Sequence, residues 1–450
     1  MRQTFDLIVI GTGAAGATVA FKCRSAGWKV AIIDSRPFGG TCALRGCDPK
    51  KVFVGVAELR DWSHRMSGKG ISLNGPEIDW PALIRFKRSF TDPVPENREN
   101  GFSKAGISSF HGRARFLDRN TLQIGDDILT ARHVVIAAGA MPAHLDIPGE
   151  QYLKTSEQFL ELEQLPAHIL FVGGGYISFE FAHIAAQAGA RVQILHRSAW
   201  PLQGFDPDLV DELVSASRDS GIDIQLNTAV KAIEQAGNHF IVTTAVNGAE
   251  QKFETNMVVH GAGRVPEIDD LDLATAGIER DHKGIVVNEY LQSPSNPSVY
   301  AAGDAASTAG MPLTPVASME GHAVARNLLD GNQRKPNYLG IPTVVFTTPP
   351  LASVGLLEQD ATRNGLKFRV NSQDTTSWYS SRRIGIKRSG FKVLIEEDSE
   401  RILGAHLFGP KAEEIINLFA LAIRSELRAT DLRHMIYAYP TNSSDIPYML

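Results

Sequence analysis

Cysteine is scarce in this chain of 450 residues, which contains only three, at positions 23, 42 and 47. Three cysteines do not make the disulfide framework of a small secreted protein. No run of 18 apolar residues occurs, so no membrane span is predicted. A net charge of −5 argues against a surface for nucleic acid. We therefore predict a cytoplasmic protein that has neither nucleic acid nor a membrane as its partner.

The length and composition are those of a multidomain globular protein. A chain of 450 residues is too long for a single hydrophobic core. Hydrophobic residues make up 43% and charged residues 21%, which is ordinary for a globular protein. Two or three domains are therefore expected.

The first nucleotide-binding pattern begins close to the N-terminus. An apolar strand over 5–10 leads into the glycine-rich turn 11–16, and a helical pattern follows. A second strand over 30–33 ends at Asp34. The glycines permit a tight turn and let a pyrophosphate approach the start of a helix, while the acid suits a ribose hydroxyl. This order predicts a dinucleotide site, although a tight structural turn would give the same glycines.

The second nucleotide-binding pattern repeats the first with one difference. A strand over 169–172 meets the turn 173–178, in which Ser178 takes the third glycine position. The next strand, 192–195, ends in His196 and Arg197 rather than in an acid. An acid there would favour NAD, whereas Arg197 could pair with the 2′-phosphate of NADP. The alternative is that the two residues are simply a solvated strand end.

Two of the three cysteines lie in a short motif between these patterns. The segment Gly39-Gly40-Thr41-Cys42 is followed, after four residues, by Cys47-Asp48-Pro49-Lys50-Lys51. The two cysteines could close a small disulfide ring, and the glycine pair would let the backbone press against a flat ligand. A disulfide that survives in a reducing cytoplasm is usually catalytic. The motif therefore predicts a flavoprotein that passes electrons through a cysteine pair.

Further buried strands run into glycine turns over 134–139, 258–263 and 298–304. Their recurrence predicts two nested α/β domains, in which the first domain resumes after the second. From about residue 336 the chain changes character, with β-rich runs at 343–346 and 391–395 and a helix at 412–425.

The chain from 5 to 445 resembles the class I pyridine nucleotide-disulfide oxidoreductases, which include glutathione reductase, dihydrolipoamide dehydrogenase and mercuric reductase. The resemblance implies an α/β fold with two nested Rossmann-like, three-layer domains and an α+β dimerisation domain. It places an FAD-binding domain at 1–147 and 265–335, an NAD(P)H-binding domain at 148–264 and an interface domain at 336–450. It also implies a homodimer, because the partner's C-terminal segment completes each active site in this family.

The resemblance assigns catalytic roles to five residues. Cys42 would be the interchange thiol that meets the substrate, and Cys47 would be the charge-transfer thiol beside the flavin. Lys50 would pair with Glu180 near the flavin. The fifth residue, Tyr439, stands where the family has the His of a His-Pro-Thr-x-x-Glu segment.

Other residues of the motifs would bind the cofactors, and Tyr176 among them would cover the flavin until the nicotinamide enters. Asp34 would bind the adenosine ribose and Asp304 the ribityl chain. The complete predicted set is Gly11, Gly13, Ala14, Ala15, Gly16, Asp34, Gly40, Thr41, Lys51, Ala138, Gly139, Gly173, Gly175, Tyr176, Ile177, Arg197, Gly263, Arg264, Gly303, Asp304, Thr314 and Pro315. No resident metal ion is predicted.

The C-terminal segment departs from the family pattern. Besides Tyr439 at the His position, Ser444 replaces the Glu, and Asp445 lies one residue late. Tyrosine, with a reference pKa near 10, is a poor base at neutral pH. The alternative is that Tyr439 only packs at the dimer interface. Mercuric reductases also carry Tyr here, but they add a C-terminal cysteine pair that this chain lacks.

Three further departures bear on the acceptor. Where glutathione reductases have anchoring arginines, this chain has Phe21, Lys22 and His322, so glutathione disulfide is not expected to be its best substrate. Asp48 follows Cys47 where the family has an apolar residue. Its carboxylate would raise the pKa of Cys47 if it faced the thiols, but we expect it to point to solvent. Cys23 is expected to be a core residue.

These observations predict an FAD-dependent oxidoreductase that prefers NADPH, with NADH as the other choice. Its electrons would pass through Cys42 and Cys47 to a small acceptor, which would be a disulfide, a quinone or a metal ion. Two alternatives stay open: a mercuric-reductase-like or quinone-reducing enzyme, and a redox-sensing flavoprotein with little turnover.

Overall fold

The computed structural model of the protein describes residues 2–72, 75–246 and 249–450. Its strands are β1 Arg2–Ile10, β2 Val30–Asp34, β3 Ser108–His111, β4 Ala114–Phe116, β5 Thr121–Ile124, β6 Asp127–Ile136, β7 Ala140–Pro142, β8 His168–Val172, β9 Arg191–Leu195, β10 Ile222–Gln225, β11 Thr228–Ala236, β12 His239–Val246, β13 Ala249–Thr255, β14 Met257–His260, β15 Arg264–Pro266, β16 Arg280–Asp281, β17 Gly284–Val286, β18 Val299–Ala301, β19 Ala306–Ser307, β20 Thr343–Val345, β21 Leu351–Gly355, β22 Phe368–Asp374, β23 Gly390–Glu396 and β24 Ile402–Phe408.

The α-helices are α1 Ala14–Ser25, α2 Gly40–Arg45, α3 Cys47–Arg65, α4 Trp80–Thr91, α5 Val94–Ala105, α6 Ser156–Phe159, α7 Tyr176–Gln187, α8 Pro207–Asp219, α9 Thr314–Asp330, α10 Glu358–Arg363, α11 Tyr379–Arg382, α12 Ala412–Arg424 and α13 Ala429–His434. The helix predicted at 412–425 is thereby confirmed. Among the described residues, no helix has the length and apolar character needed to cross a membrane.

The chain divides into two compact units. The first unit contains 1–50, 85–143 and 264–338, and the second contains 51–84, 144–263 and 339–450. The chain thus leaves the first unit and returns to it, as nested domains require. The segments expected to bind NAD(P)H and to form the interface both lie in the second unit, and the division into three domains stays a prediction.

A sheet with the order β3-β2-β1-β6-β5-β4 forms the centre of the first unit, and β18 pairs with β6. The pairs β1–β2, β1–β6 and β18–β6 are all parallel. Strand β18 comes from the segment after 264, so residues that follow the insertion complete the sheet begun at the N-terminus. Buried apolar clusters cover both faces of the sheet, as expected for a doubly wound fold.

Three main sheets build the second unit. A parallel sheet has the order β10-β9-β8-β14, a three-stranded sheet has the order β11-β12-β13, and an antiparallel sheet has the order β20-β21-β24-β23-β22. Helix α12 packs against β24 and β21 of the last sheet. A single buried cluster includes Phe53 of α3, Phe171 of β8 and Leu351 of β21. The predicted α/β architecture with an α+β C-terminal part is therefore confirmed.

The same turn is built twice, once in each unit. Gly11 and Gly173 follow β1 and β8, and both have φ +104°. A Cβ on Gly11 would lie 2.1 Å from the carbonyl oxygen of Ala137, and one on Gly173 would lie 2.4 Å from that of Gly261. Only glycine fits either position, because both the positive φ and the neighbouring backbone exclude a side chain. Each turn leads directly into a helix, α1 or α7.

Candidate active site

The cysteine motif packs against the first glycine turn. Cys42 lies on α2 and Cys47 begins α3, and both are free thiols. Gly39 and Gly40 ahead of them have φ +136° and +74°. A Cβ on Gly40 would lie 2.5 Å from Cα of Gly13. The glycine pair therefore lets the thiol motif approach the turn at backbone contact distance, and the predicted approach of its backbone to a flat ligand stays a prediction.

The environment of Cys47 favours a thiolate. A hydrogen bond from the Cys42 thiol is the main cause that lowers the pKa of Cys47 to about 6. Thr314, whose Oγ1 lies 3.6 Å from Cys47 Sγ, and the charge of Lys50 act in the same direction. Burial and the Asp48 charge oppose them. Stabilisation by donors and a cation thus outweighs the cost of desolvation.

Cys42 has the opposite tendency. Its hydrogen bond to Cys47 is the main cause that raises its pKa, followed by burial, and the charges of Cys47 and Asp48 add to the rise, while Thr314 lowers it. Asp48 is exposed, yet its Oδ1 lies 3.9 Å from Cys42 Sγ, so it is a second acceptor, alternative to Cys47, for the single thiol proton of Cys42. The expectation that Asp48 points to solvent is thus only half right, because a residue at the first turn of α3 still reaches back to α2.

The carboxylate of Asp34 organises the first turn. Its Oδ2 accepts hydrogen bonds from Thr12 N at 2.9 Å and from Thr12 Oγ1 at 2.6 Å, and its Oδ1 accepts one from Arg36 N at 3.0 Å. Gly39 N in turn donates to Thr12 Oγ1 at 3.0 Å. One threonine therefore links the acid, the glycine turn and the thiol motif. Binding of a ribose by Asp34 stays a prediction.

Both helix starts suit a phosphate group. Gly13 and Gly175 are the N-caps of α1 and α7, neither helix has a side-chain cap, and neither has an acid in its first turn. The first amides of a helix lack intrahelical partners, and negative charge is favoured there. The residues of both turns therefore fit the pyrophosphates of a flavin and a nicotinamide dinucleotide.

Sequence reasoning missed a buried acid that holds the Asp304 turn. Glu320 on α9 is 1% exposed, and its carboxylate accepts hydrogen bonds from Gly303 N at 2.6 Å, Tyr338 Oη at 2.7 Å and Thr308 Oγ1 at 2.9 Å. Burial raises the pKa of Glu320 and of Asp304, although Arg264 opposes the rise at Asp304. The position of Glu320 among the apolar residues of α9 could have indicated a buried carboxylate from the sequence.

The second turn has its predicted residues at the start of α7. Tyr176 is the first residue of that helix and is 46% exposed. Ser178 is fully buried, and a Cβ on Gly261 would lie 2.0 Å from its Oγ, so this small residue packs closely against Gly261. Arg197 is exposed beyond the end of β9 and has no side-chain partner among the described residues. It is available to an anionic ligand.

The members of the predicted Lys50–Glu180 pair lie in different units. Lys50 is 9% exposed in the first unit, and Glu180 is 3% exposed in the second. Glu180 Oε1 accepts a hydrogen bond from Phe346 N at 2.9 Å, and Lys51 Nζ lies 4.3 Å from the centre of the Phe346 ring. The pairing of Lys50 with Glu180 stays a prediction.

The C-terminal segment does not rebuild a His–Glu pair. Tyr439 is 84% exposed. The Ser444 hydroxyl donates to Thr441 O at 2.6 Å, so it serves the local turn. Asp445 accepts a hydrogen bond from Ser380 Oγ at 2.5 Å, and burial raises its pKa. Within the described part of the chain, neither the Ser444 hydroxyl nor the Asp445 carboxylate forms a hydrogen bond with Tyr439.

Two other predicted positions have structural partners. Phe21, at one of the glutathione-anchor positions, stacks on Phe102 with ring centres 5.0 Å apart. Cys23 is fully buried on α1, so its expected place in the core is confirmed. Among residues 2–72, 75–246 and 249–450, no group of three or more His, Cys, Asp or Glu side chains is placed to hold a metal ion.

Comparisons with known proteins show the family to which the chain belongs. Residues 5–321 match the model of the pyridine nucleotide-disulphide oxidoreductase family, and residues 341–449 match that of its dimerisation domain. The chain therefore belongs to the pyridine nucleotide-disulphide oxidoreductases. Enzymes of this family are FAD-dependent and use a nicotinamide nucleotide.

Several relatives align over almost the whole chain. A glutathione reductase of Nostoc sp. is 31% identical over 100% of both chains. A mercuric reductase of Staphylococcus aureus is 30% identical over 97% of this chain and 80% of its own length. The structure of a Cu(II) complex of the HOCl-induced flavoprotein disulfide reductase RclA from Escherichia coli is also similar. It has a TM-score of 0.89 and 26% identity, and it covers 99% of both chains. The chain is thus a flavoprotein of the disulfide reductase type.

Proposed function

We propose that this protein oxidises NADPH and passes the electrons through bound FAD and the Cys42–Cys47 pair to a small-molecule acceptor. The observation that carries the proposal is the asymmetry of the two thiols. Donors and a cation stabilise negative charge on Cys47, whereas Cys42 keeps its proton. A reduced pair needs this division of charge if one sulfur is to face an electron carrier while the other meets an acceptor.

The sulfur chemistry balances as a two-electron exchange. The Cys42–Cys47 disulfide takes up two electrons and one proton and becomes a thiol at Cys42 and a thiolate at Cys47. With a disulfide acceptor, Cys42 loses its proton, attacks one sulfur and releases the first thiolate. Cys47 then attacks Cys42 Sγ, releases the second thiolate and restores the ring. The flavin, when bound, supplies the two-electron relay between the nicotinamide and the ring.

The cofactor assignments follow the two helix starts. The turn before α1, together with Asp34, Gly40 and Asp304, would hold FAD, and the turn before α7 would hold the nicotinamide nucleotide. Arg197 favours NADPH over NADH, because a guanidinium can bind a phosphate through two hydrogen bonds. The family's dimerisation domain and the exposure of Tyr439 support a homodimer. A reducing cytoplasm would suit the thiol pair.

A metal ion is the second candidate acceptor. Mercuric reductases are among the relatives, and the similar RclA structure is a Cu(II) complex. A metal ion that accepts electrons needs no proton from a His, so Tyr439 would not handicap this reaction. A quinone would also be reduced without that His. A redox sensor is the alternative without substantial turnover.

Anaerobic NADPH oxidation against a panel of acceptors tests the proposal. The panel contains disulfides, a quinone, Cu(II) and Hg(II), and the Cys42→Ser/Cys47→Ser double variant is the control for flavin-only reduction. We expect wild-type turnover with at least one acceptor and its loss in the double variant. Equal turnover by both proteins with every acceptor would contradict a role for the thiols. Reduction by NADPH without any turnover would support the sensor.

A further inference from the structure

The carboxylate of Asp48 lies on the acceptor side of the thiol pair, if Cys42 meets the acceptor as proposed. Cys47 has Thr314 as a neighbour at 3.6 Å, and Lys50 acts on it from the next turn of α3. Cys42 instead has Asp48 Oδ1 at 3.9 Å. Lys50 and the Thr314 hydroxyl therefore stabilise the Cys47 thiolate, although Thr314 also acts on Cys42. The Asp48 charge acts on both sulfurs, but its hydrogen-bond contact is with the Cys42 thiol.

Asp48 is free to act on an incoming molecule. The residue is exposed, and in the described part of the chain its side chain forms a hydrogen-bond contact with Cys42 alone. An acceptor atom in contact with Cys42 Sγ therefore lies no more than about 8 Å from this carboxylate.

We propose that Asp48 is a specificity-determining residue that selects cationic or neutral acceptors and rejects anionic ones. The proposal deepens the function argued above and rests on Cys42 being the attacking thiol. Coulomb's law gives an effect on the order of 3- to 30-fold for each unit of acceptor charge at about 6 Å, depending on how far water screens the pair. Glutathione disulfide carries carboxylates and would be disfavoured by Asp48 as well as by the missing arginines.

Alkylation of Cys42 tests the proposal without any turnover. The Cys47→Ser background leaves Cys42 as the one accessible thiol, because Cys23 is fully buried. Iodoacetamide and iodoacetate react by the same displacement but differ by one negative charge. Of the groups that act on Cys42, Thr314 and residue 47 are then held constant, and only Asp48 is varied. Rates are fitted over pH so that thiolate rate constants are compared.

We expect Asp48→Asn to lower the ratio of the iodoacetamide to the iodoacetate rate constant about 3- to 10-fold. Each ratio is first divided by the same ratio measured for free glutathione. Asp48→Glu should keep the ratio high. The matched control is Asp330→Asn, which removes the same charge from the far end of α9, about 24 Å along that helix from Thr314. An unchanged ratio in Asp48→Asn, or an equal fall in Asp330→Asn, would overturn the proposal.

A series of disulfides gives the second measurement. Cystamine is dicationic, hydroxyethyl disulfide is neutral and dithiodiglycolate is dianionic. All three are reduced by the same thiol–disulfide exchange, so they differ mainly in charge. The wild type should prefer them in that order in kcat/KM, and Asp48→Asn should compress the order, most clearly at low salt. If no disulfide is turned over, the disulfide-reducing form of the proposed function fails, while the alkylation ratio still decides the role of Asp48.

Discussion

Cys47 Sγ lies 3.6 Å from Thr314 Oγ1, although 267 positions separate the two residues in the chain. The contact joins the start of α3 to the start of α9, and its hydroxyl lowers the pKa of Cys47. The thiolate is thus stabilised in part by a residue for which the sequence predicts only cofactor contact.

Removal of this hydroxyl should raise the pKa of Cys47 above its value of about 6. A hydrogen bond to a charged group contributes on the order of 1.5 kcal/mol, which is about one pH unit. We therefore expect the long-wavelength thiolate-to-flavin absorbance of reduced Thr314→Val to titrate about one unit higher than in the wild type. Thr314→Ser should titrate like the wild type, and coinciding titrations of all three proteins would rule out the contribution.

Arg197→Ala should reduce the preference for NADPH over NADH. A charge-assisted arginine–phosphate contact contributes roughly 1.5–3 kcal/mol, or about 10- to 100-fold in kcat/KM. Gln203 stands where the family has a second arginine, so the lower end is expected. The control is Arg191→Ala, which removes an exposed arginine from the opposite end of β9. Unchanged coenzyme ratios in Arg197→Ala would contradict the assignment.

The protein should be a weak glutathione reductase and a weak dihydrolipoamide dehydrogenase. A positioned acid or base typically contributes about 10²–10⁴-fold, and neither Tyr439 nor Ser444 replaces the family's pair. In stopped flow, reduction by NADPH should be much faster than re-oxidation by glutathione disulfide. Tyr439→His with Ser444→Glu should speed the interchange without tight glutathione binding. Wild-type turnover of glutathione disulfide at the rate of its flavin reduction would refute this expectation.

Acid should destabilise the protein through His183. Burial lowers the pKa of this residue from 6.5 to about 4, and its ring nitrogens are bonded to Ser217 and to Thr348 N. Between pH 6.5 and 4 the unfolded state therefore binds a proton that the folded state excludes. The free energy of unfolding should therefore decrease by up to about 3 kcal/mol as the pH is lowered from 6.5 to 4.

Urea unfolding at several pH values measures this effect. His183→Gln should show a shallower loss of stability between pH 6.5 and 4 than the wild type, whatever its stability at pH 7. His282→Gln, a change at an exposed histidine, should keep the wild-type slope. If the free energy of unfolding has the same pH dependence in the wild type and in His183→Gln, His183 is excluded as the cause of the acid destabilisation.

Lys392→Met should destabilise the second unit. Lys392 Nζ lies 2.9 Å from Asp206, 2.5 Å from Asp208 and 3.1 Å from Glu358, and both Lys392 and Asp206 are almost fully buried. Loss of one partner leaves a buried charge unpaired, which costs about 3–5 kcal/mol. Thermal unfolding should show a lower Tm for Lys392→Met. The decrease should be smaller when Asp206→Asn is added, and the exposed control Lys387→Met should leave Tm almost unchanged.

Local pattern was enough to predict the elements that carry the cofactor motifs. The turns after β1 and β8 were predictable because an apolar strand, spaced glycines and a helical pattern follow one another in the chain. The buried place of Cys23 likewise follows from local sequence, whereas the packing of Gly40 on Gly13 does not.

Contacts between distant segments were beyond such reasoning. Nothing near Cys47 indicates that Thr314 will lie beside it, and nothing near Gly303 indicates Glu320. The orientation of Asp48 depends on how α2 meets α3, since one residue of rotation would turn the carboxylate away. Phe21 and Asp445 found packing and hydrogen-bond partners, Phe102 and Ser380, that are likewise remote in sequence.

Under the proposed assignment of FAD to the turn at Gly11 and of the nicotinamide nucleotide to the turn at Gly173, the reaction is separable into halves. At Gly11 and Gly173 an added Cβ would meet backbone atoms, so no repacking of side chains can relieve the clash. A substitution at Gly173 should therefore disable entry of electrons from the nicotinamide while leaving a yellow protein whose thiols still respond to dithionite. A substitution at Gly11 should remove the colour itself. Under this assignment, one substitution at either glycine is expected to abolish one half of the reaction rather than to weaken it, because the clash is with backbone atoms.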